Sequence, residues 1–335
     1  MKIELRDIRK TFGSVIANDG ITLTLEPGTI HGLLGENGAG KTTLMKVLSG
    51  YQTADSGSLW IDGRQVYLKT PDRAIAAGIG MLHQDPMDVP ALSVLDNLLL
   101  GQAQGLVCHP DRGRRLLREL GQRFAFDLNP EAQVGSLTVG ERQQLELVRL
   151  LALGVRTIIL DEPTTGISAP QKKLLFATLH QLAAEGLSLV FVSHKLEEVG
   201  ELCSRVTVLR QGRVAGEAAA PLDSGQLVAM MFGQCLSDYP REPVAPGDTA
   251  LSVENVAIHT YRLNLEHLNL QVRAGEVIGL AGLEGSGQRI LMQACAGLQP
   301  YHFGTLRLAG RDMAHAGYRE FLRQVAFCRQ LPPIE

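Results

Sequence analysis

The chain lacks most of the features that would mark a disulfide-stapled, nucleic-acid-binding or membrane-spanning protein. It has five cysteines in 335 residues, at positions 108, 203, 235, 295 and 328, and no C-x-x-C pair. That spacing gives no disulfide framework, ligand cluster or thiol nucleophile and suits reduced thiols in a cytoplasmic protein. Charge of one sign is also missing: 32 basic residues stand against 35 acidic ones, a net of −3. No footprint for nucleic acid or for an anionic membrane surface follows, so no nucleic-acid partner is expected. No apolar run approaches the roughly 20 residues needed to cross a bilayer, and Met1–Asp7 has no signal-peptide apolar region. The chain is therefore expected not to span a membrane by itself. Its length exceeds what one hydrophobic core usually serves and leaves room for two domains, or for one and a fraction.

What is present is a glycine-rich loop, Gly35-Glu-Asn37-Gly38-Ala-Gly40-Lys41-Thr42, followed by Thr43. It follows the apolar run Ile30–Leu34 and precedes the helix-like Leu44–Leu48, the strand, loop and helix context of a P-loop. The glycines let consecutive backbone N–H groups turn toward one anion, and the start of the following helix adds its positive dipole end. Lys41 reaches the β and γ phosphates, and the Thr42 hydroxyl is placed to ligate Mg2+.

A diluted copy, Gly282-Leu-Glu-Gly-Ser-Gly-Gln288-Arg289, recurs at an offset of 247 residues. The same offset superposes Gly28 on Gly275, Leu44 on Leu291, Met45 on Met292, Gly50 on Gly297, Gly57 on Gly304 and Gly63 on Gly310, which marks a duplication. Each copy reads as a short β run (Ile21–Leu25, Leu268–Val272), a glycine turn, a buried strand, the loop, a helix and a further strand. The predicted organisation is a first domain over 1–235, a proline-rich linker over 236–249 and a second domain over 250–335. By the offset, Glu335 corresponds to position 88 of the first copy, so the second is expected to be partial. In it Gln288 replaces the lysine and Arg289 the hydroxyl.

Thr157–Asp161 and Glu162 read as a buried parallel strand ending in two acids, at the edge where open α/β sheets bind ligands. Asp161 is expected to hold the Mg2+, and Glu162 to act on the attacking water as general base. Leu187–His194 is another buried run, ending on a histidine that could contact the γ-phosphate and the water. Ser168 and Gln171 fit a capping box opening a helix. Leu137-Thr138-Val139-Gly140-Glu141 opens an amphipathic helix over Arg142–Leu151, whose first amides could bind an anion. The basic run Arg112–Arg115 with Arg118 reads as a solvated helix face.

Together the P-loop, Asp161-Glu162, His194 and the Leu137–Glu141 turn resemble the nucleotide-binding domain of ABC transporters, over nearly the whole chain. The resemblance implies an α/β P-loop fold with an antiparallel β subdomain and a helical subdomain, followed by a partial second copy. It makes Thr138, Gly140 and Glu141 part of the signature loop that closes on ATP held by an opposing domain, with Thr138 in place of serine. It makes Gln84 the Q-loop residue that senses Mg2+, Phe12 the aromatic that stacks on adenine, and Thr165–Ser168 the D-loop. The tandem copies, the Phe191–Glu198 stretch and the second loop without lysine resemble the ATPases of bacterial simple-sugar importers. Ala17–Asp19, Gly78–Gln84 and Leu283–Gln288 are most similar to the nucleoside-type branch.

The implied activity is ATP binding and hydrolysis at the first loop, at the cytoplasmic face of the cell membrane. The implied partners are membrane permease subunits, through them a solute-binding protein, and a second nucleotide-binding domain from another copy or another chain. Two further readings stand beside it. One is a soluble ABC-type ATPase acting on ribosomes or nucleic acid, which would typically carry a long charged linker and two working loops. The other is a non-hydrolysing remnant.

Overall fold

The computed structural model describes residues 1–84, 86–100, 110–233, 245–260, 263–282 and 286–328. Most of the expected linker, Asp85 beside Gln84 and the middle of the second glycine-rich loop lie outside them. The chain divides into two compact units, Met1–Ser237 and Asp238–Glu335.

The first unit opens with β1 (Ile3–Phe12), β2 (Val15–Leu25), β3 (Ile30–Leu34), α1 (Lys41–Leu48), β4 (Ser56–Ile61) and β5 (Arg64–Val66). It continues through α2 (Pro71–Ala76), β6 (Ile79–Leu82), α3 (Val94–Leu100), α4 (Pro110–Phe124), α5 (Val139–Ala152), β7 (Thr157–Asp161) and α6 (Ala169–Ala184). β8 (Ser188–Ser193), α7 (Leu196–Leu202), β9 (Arg205–Arg210), β10 (Arg213–Ala219) and α8 (Ser224–Phe232) complete it. Two kinds of strand make two kinds of sheet. β1 buries Ile3 and Leu5 and turns Arg6 outward, the pattern of a half-solvated strand, and it lies inside an antiparallel sheet ordered β2-β1-β4-β5. β3, β7 and β8 are buried at every position and belong to a six-stranded sheet ordered β10-β9-β3-β8-β7-β6. All its neighbours are parallel except β10 on β9.

Because successive side chains point to opposite faces, each buried strand feeds two cores. Leu33, Ile159, Val190 and Val192 pack with Leu23, Leu44 and Met45 on one face. Leu34, Leu160, Leu189 and Phe191 pack with Leu147, Leu179 and Val199 on the other. The parallel arrangement has a functional consequence: β3, β6, β7 and β8 all end at one edge of the sheet. The residues just beyond them, Gly35, Gln84, Glu162 and His194, are delivered to that edge.

α4 buries Gly113, Leu117, Leu120 and Phe124, one face at helical spacing. Arg112, Arg115 and Arg118 are exposed and Arg114 pairs with Glu131 at 2.9 Å, so the basic run is a solvated face, as expected. Cys203 is buried and its thiol is pushed up to about 12 by that burial, an inert structural cysteine.

The second unit holds β11 (Thr249–His259), β12 (Asn264–Arg273), α9 (Gln288–Cys295), β13 (Phe303–Leu308), β14 (Arg311–Asp312) and α10 (Tyr318–Phe321). Its sheet is ordered β12-β11-β13-β14, the order of β2-β1-β4-β5. The 247-residue offset carries α1 onto α9 and β4 onto β13 end to end. One expectation fails. The segment matching β3 does not form a strand, and Val277 in it is 93% exposed. β3 is hydrogen-bonded on one side by β8 and on the other by β9. Among the described residues the second unit has no parallel strand to do either, so a central-strand sequence has nothing to pair with.

Phe191 is fully buried and meets Phe176 edge to face, with ring centres 5.9 Å apart. Phe191→Ala is expected to destabilise the first unit by about 3–5 kcal/mol, read as a lowered midpoint of urea unfolding with the denaturant slope unchanged.

Candidate functional site

The site is built where β3 turns into α1. Gly35 packs so closely that a Cβ there would lie 2.4 Å from the carbonyl oxygen of Leu209 in β9, an approach open only to glycine. Lys41 is buried, and its Nζ donates to the carbonyls of Gly35 at 2.8 Å and Glu36 at 2.9 Å, closing the loop on itself. Burial pushes its pKa down, against the pull of Glu162 and Asp161. Asn37 and Gly38 are exposed at the tip, Thr42 is exposed and Thr43 half-buried.

At the end of β7, Asp161 is buried and its Oδ1 has no hydrogen-bond partner. Burial raises its pKa; Glu162 adds to this, and a hydrogen bond from Thr42 and the charge of Lys41 oppose it. An unpaired buried carboxylate oxygen beside a threonine hydroxyl is an oxygen donor set suited to a hard cation. Glu162 adopts φ +49°, and its N–H donates to Val192 in β8 at 3.0 Å. A left-handed non-glycine residue is a strained arrangement of the kind that clusters at functional sites. Glu162 Oε1 lies 2.9 Å from Nδ1 of His194, which follows the last residue of β8. A carboxylate only accepts, so Nδ1 carries the proton.

These residues, Gly35, Lys41, Thr42, Asp161, Glu162 and His194, form one constellation. The Leu137–Glu141 turn belongs to another. Thr138 caps α5 in a reciprocal box with Glu141, its N–H and hydroxyl each 2.7 Å from Glu141 Oε2. Gln171 Nε2 donates to the same hydroxyl at 3.2 Å, and a Cβ on buried Gly140 would meet that nitrogen at 2.6 Å. Gln171 in turn forms the expected capping box with Ser168 at the start of α6. Gln84 is exposed two residues beyond β6. Phe12 is 46% exposed at the end of the β1–β2 hairpin, with Lys10 Nζ 5.4 Å from its ring centre.

Three residues have roles that the sequence reading did not assign them, although two of them, Asn18 and Glu198, lie in stretches that carry the resemblance. Glu198 on α7 is buried, accepts from Thr164 at 2.7 Å and is approached by Lys195 at 3.3 Å, which ties α7 to the loop after Glu162. Asp88 takes the fork of Arg142, with Nε at 2.8 Å, joining the segment after Gln84 to the start of α5. Asn18 reaches the phosphate loop from β2. Each looks like a surface polar residue until partners distant in sequence are known.

A phosphate loop closed by a buried lysine, beside an acid pair and a histidine on adjacent strands of one parallel sheet, defines a P-loop nucleotide-binding cassette. The family model described as ABC transporter matches residues 18–165 and 265–335, and the chain belongs to that family. It is 39% identical to the ribose import ATP-binding protein RbsA of Chromobacterium violaceum, over 93% of this chain and 63% of that protein. It is likewise 39% identical to the glucose import ATP-binding protein TsgD13 of Haloferax volcanii, over 96% of this chain and 64% of that protein. The chain thus spans under two thirds of the length of these relatives. Among solved structures, the ADP conformation of an ATP-binding cassette of an ABC transporter matches 70% of this chain and 100% of its own. The TM-score is 0.62 at 22% identity, which shows a shared fold.

The Asp161 pKa is raised above its unfolded value of 3.8, so ionising it costs the folded state. That cost is absent below about pH 3.8, grows as pH rises to the folded-state value and persists above it. In the absence of divalent cation and nucleotide, Asp161→Asn should therefore raise stability at pH 7. Thermal melts from pH 4 to 8 should show the gain shrinking toward the acid end.

Proposed function

We propose that the first unit binds ATP with Mg2+ and hydrolyses it as the nucleotide-binding subunit of an importer for a simple sugar or a nucleoside. The observation that carries this reading is Asp161: a buried carboxylate with an unpaired oxygen, beside Thr42, Lys41 and a Glu162 held by His194. Among the described residues no group of three or more His, Cys, Asp or Glu could hold a metal. Thr42 and Asp161 would be the donors, with Gln84 added by the family resemblance, and a cation that keeps most of its waters and takes few protein ligands fits this set. When bound, Mg2+ would neutralise charge on the β and γ phosphates.

The chain's own residues would divide the remaining work. The loop amides of Gly35–Thr43, with Asn37 and Gly38 at the tip, would hold the phosphates, and Lys41 would exchange its two loop carbonyls for phosphate oxygens. Phe12 would carry the adenine on its exposed face. Glu162 Oε2 would take the proton of the attacking water while His194 fixes Oε1. His194 could donate to the γ-phosphate through Nε2 only when that nitrogen is also protonated.

Thr138, Gly140 and Glu141 sit in their own cluster with α6, so the signature turn would serve an ATP held by a second nucleotide-binding domain. Transport across a bilayer needs a spanning partner, and no described helix is long and apolar enough to cross a membrane. Permease subunits, with the solute-binding protein they receive solute from, would supply that part, with this chain at the cytoplasmic face. A cavity of 190 Å3, lined by Tyr51, Ile75, His83, Met87, Glu146 and Arg149 among others, would be a place for a side chain of such a partner. The relatives' names point to ribose and glucose, and the residue resemblance to the nucleoside branch. The cassette site itself does not touch the solute.

Glu162→Gln is expected to keep ATP binding and to lower turnover by about 10²- to 10⁴-fold, while Lys41→Ala should weaken binding itself. Undiminished phosphate release by the purified glutamine variant would refute the general-base role. If two copies share each ATP, specific activity should rise with protein concentration by mass action. Constant activity per molecule on dilution, with a monomeric mass by light scattering in ATP, would exclude that arrangement.

A further inference from the structure

Asn18 is 0% exposed near the start of β2, buried out of phase with Ile21, Leu23 and Leu25 of the same strand. Its Nδ2 donates to the carbonyl of Gly40 at 3.0 Å, while Oδ1 is buried with no partner. The reverse amide orientation would set two acceptors face to face, so the donor must point at the loop. Gly40 approaches so closely that a Cβ there would lie 2.2 Å from the Ala17 carbonyl oxygen. The preceding carbonyl is held as well: Gly212, in the turn between β9 and β10, donates its N–H to Ala39 at 3.2 Å. That turn is itself fixed to β2, since Asp19 N–H donates to the Gly212 carbonyl at 2.7 Å and Arg213 pairs with the Asp19 carboxylate at 2.6 Å.

In a planar trans peptide the C=O and the next N–H point in opposite directions. The Ala39 carbonyl is held toward the β9–β10 turn, and the Gly40 carbonyl is shared between Asn18 and the first α1 hydrogen bond, from Leu44 N–H at 3.0 Å. Carbonyls held on that side turn the N–H groups of Gly40 and Lys41 the other way. Two successive amides aimed together make an anion-binding concavity. We infer that Asn18 is a positioning residue: with the Gly212 turn it braces the phosphate loop from behind and aims the Lys41 amide at the nucleotide's phosphates. The brace rests on the ATP reading above and adds to it a residue outside the glycine-rich loop. It also accounts for a buried amide whose oxygen is left unsatisfied.

The test compares Asn18→Leu, which keeps the volume and removes the donor, with Asn18→Ser, whose hydroxyl is too short to reach Gly40. Lys41→Ala serves as the control. Equilibrium affinity is measured for MgATP and for inorganic tripolyphosphate, which engages the loop alone, together with KM and kcat. Both Asn18 variants should bind both probes about 3- to 10-fold more weakly, the worth of one net hydrogen bond. KM should rise by the same factor with kcat within about 2-fold, as when an interaction made equally in ground and transition state is removed. A variant that was only less stable would lose folded fraction, seen as fewer binding sites at unchanged affinity. Either folded variant binding tripolyphosphate as tightly as the parent, or losing kcat with KM unchanged, would overturn the brace. Should Lys41→Ala also bind like the parent, the nucleotide reading of the loop falls; if Lys41→Ala loses binding and the Asn18 variants do not, only the brace does.

Discussion

A parallel strand in the middle of a sheet needs a hydrogen-bonded neighbour on each side, and the site depends on that requirement being met. β3 has β8 and β9. The same two neighbours then serve the chemistry, because β8 ends beside His194 and β9 ends at the turn that holds the Ala39 carbonyl. The second unit shows the converse. It repeats the antiparallel sheet and the helix after the loop, yet the segment matching β3 stays exposed. A Cβ on Gly282 would lie 2.1 Å from Gln288 Nε2. Local sequence suffices for hairpins and short helices, whereas the strand that presents a phosphate loop is made by chain far away.

The cost of the site is electrostatic. Lys41 and Asp161 are both buried, and burial shifts each toward its neutral form. Each softens the other's shift, but the two are not paired directly: Lys41 spends its protons on loop carbonyls and Asp161 takes the Thr42 hydroxyl. Such an arrangement is unfavourable as stability and favourable as preorganisation, since a triphosphate with a cation would satisfy both ends at once. A loop that satisfied itself fully would have less to gain from the ligand.

Much of this was legible in the sequence because it is local. The P-loop, the acid pair after an apolar run, the Ser168–Gln171 box and the α4 basic face are patterns within a few residues, and the structure places them as strand end, helix start and solvated surface. His194 falls one residue beyond its strand, a boundary shift that periodicity does not fix. What the sequence hid is long-range. Asn18 reads as an ordinary strand polar residue until Gly40 is seen against it. Glu198 reads as one of several acids on a helix, and its burial is matched by Thr164, which only the fold brings near, together with Lys195 three residues earlier. The failed strand at 277–281 has the same origin: its sequence is right for a centre, and the neighbours that would make it one are not among the described residues.

Those long-range contacts also divide the first unit into linked parts. Arg142 at the start of α5 is gripped by Asp88, and Arg149 further along α5 donates to the Met87 carbonyl at 3.0 Å. The helix that begins at the signature turn is therefore fastened to the segment following Gln84. At its N-terminus, Thr138 meets Gln171, which belongs to the helix that follows the Glu162 loop, and that loop is held to α7 through Thr164 and Glu198. A shift of the segment after Gln84 cannot leave α5 in place without breaking the Asp88–Arg142 fork. A shift of α5 is met in turn by Gln171 and the start of α6. These contacts join Asp88, the helix that begins at the Leu137–Glu141 turn and the loop after Glu162 into one connected set, with partners far apart in sequence.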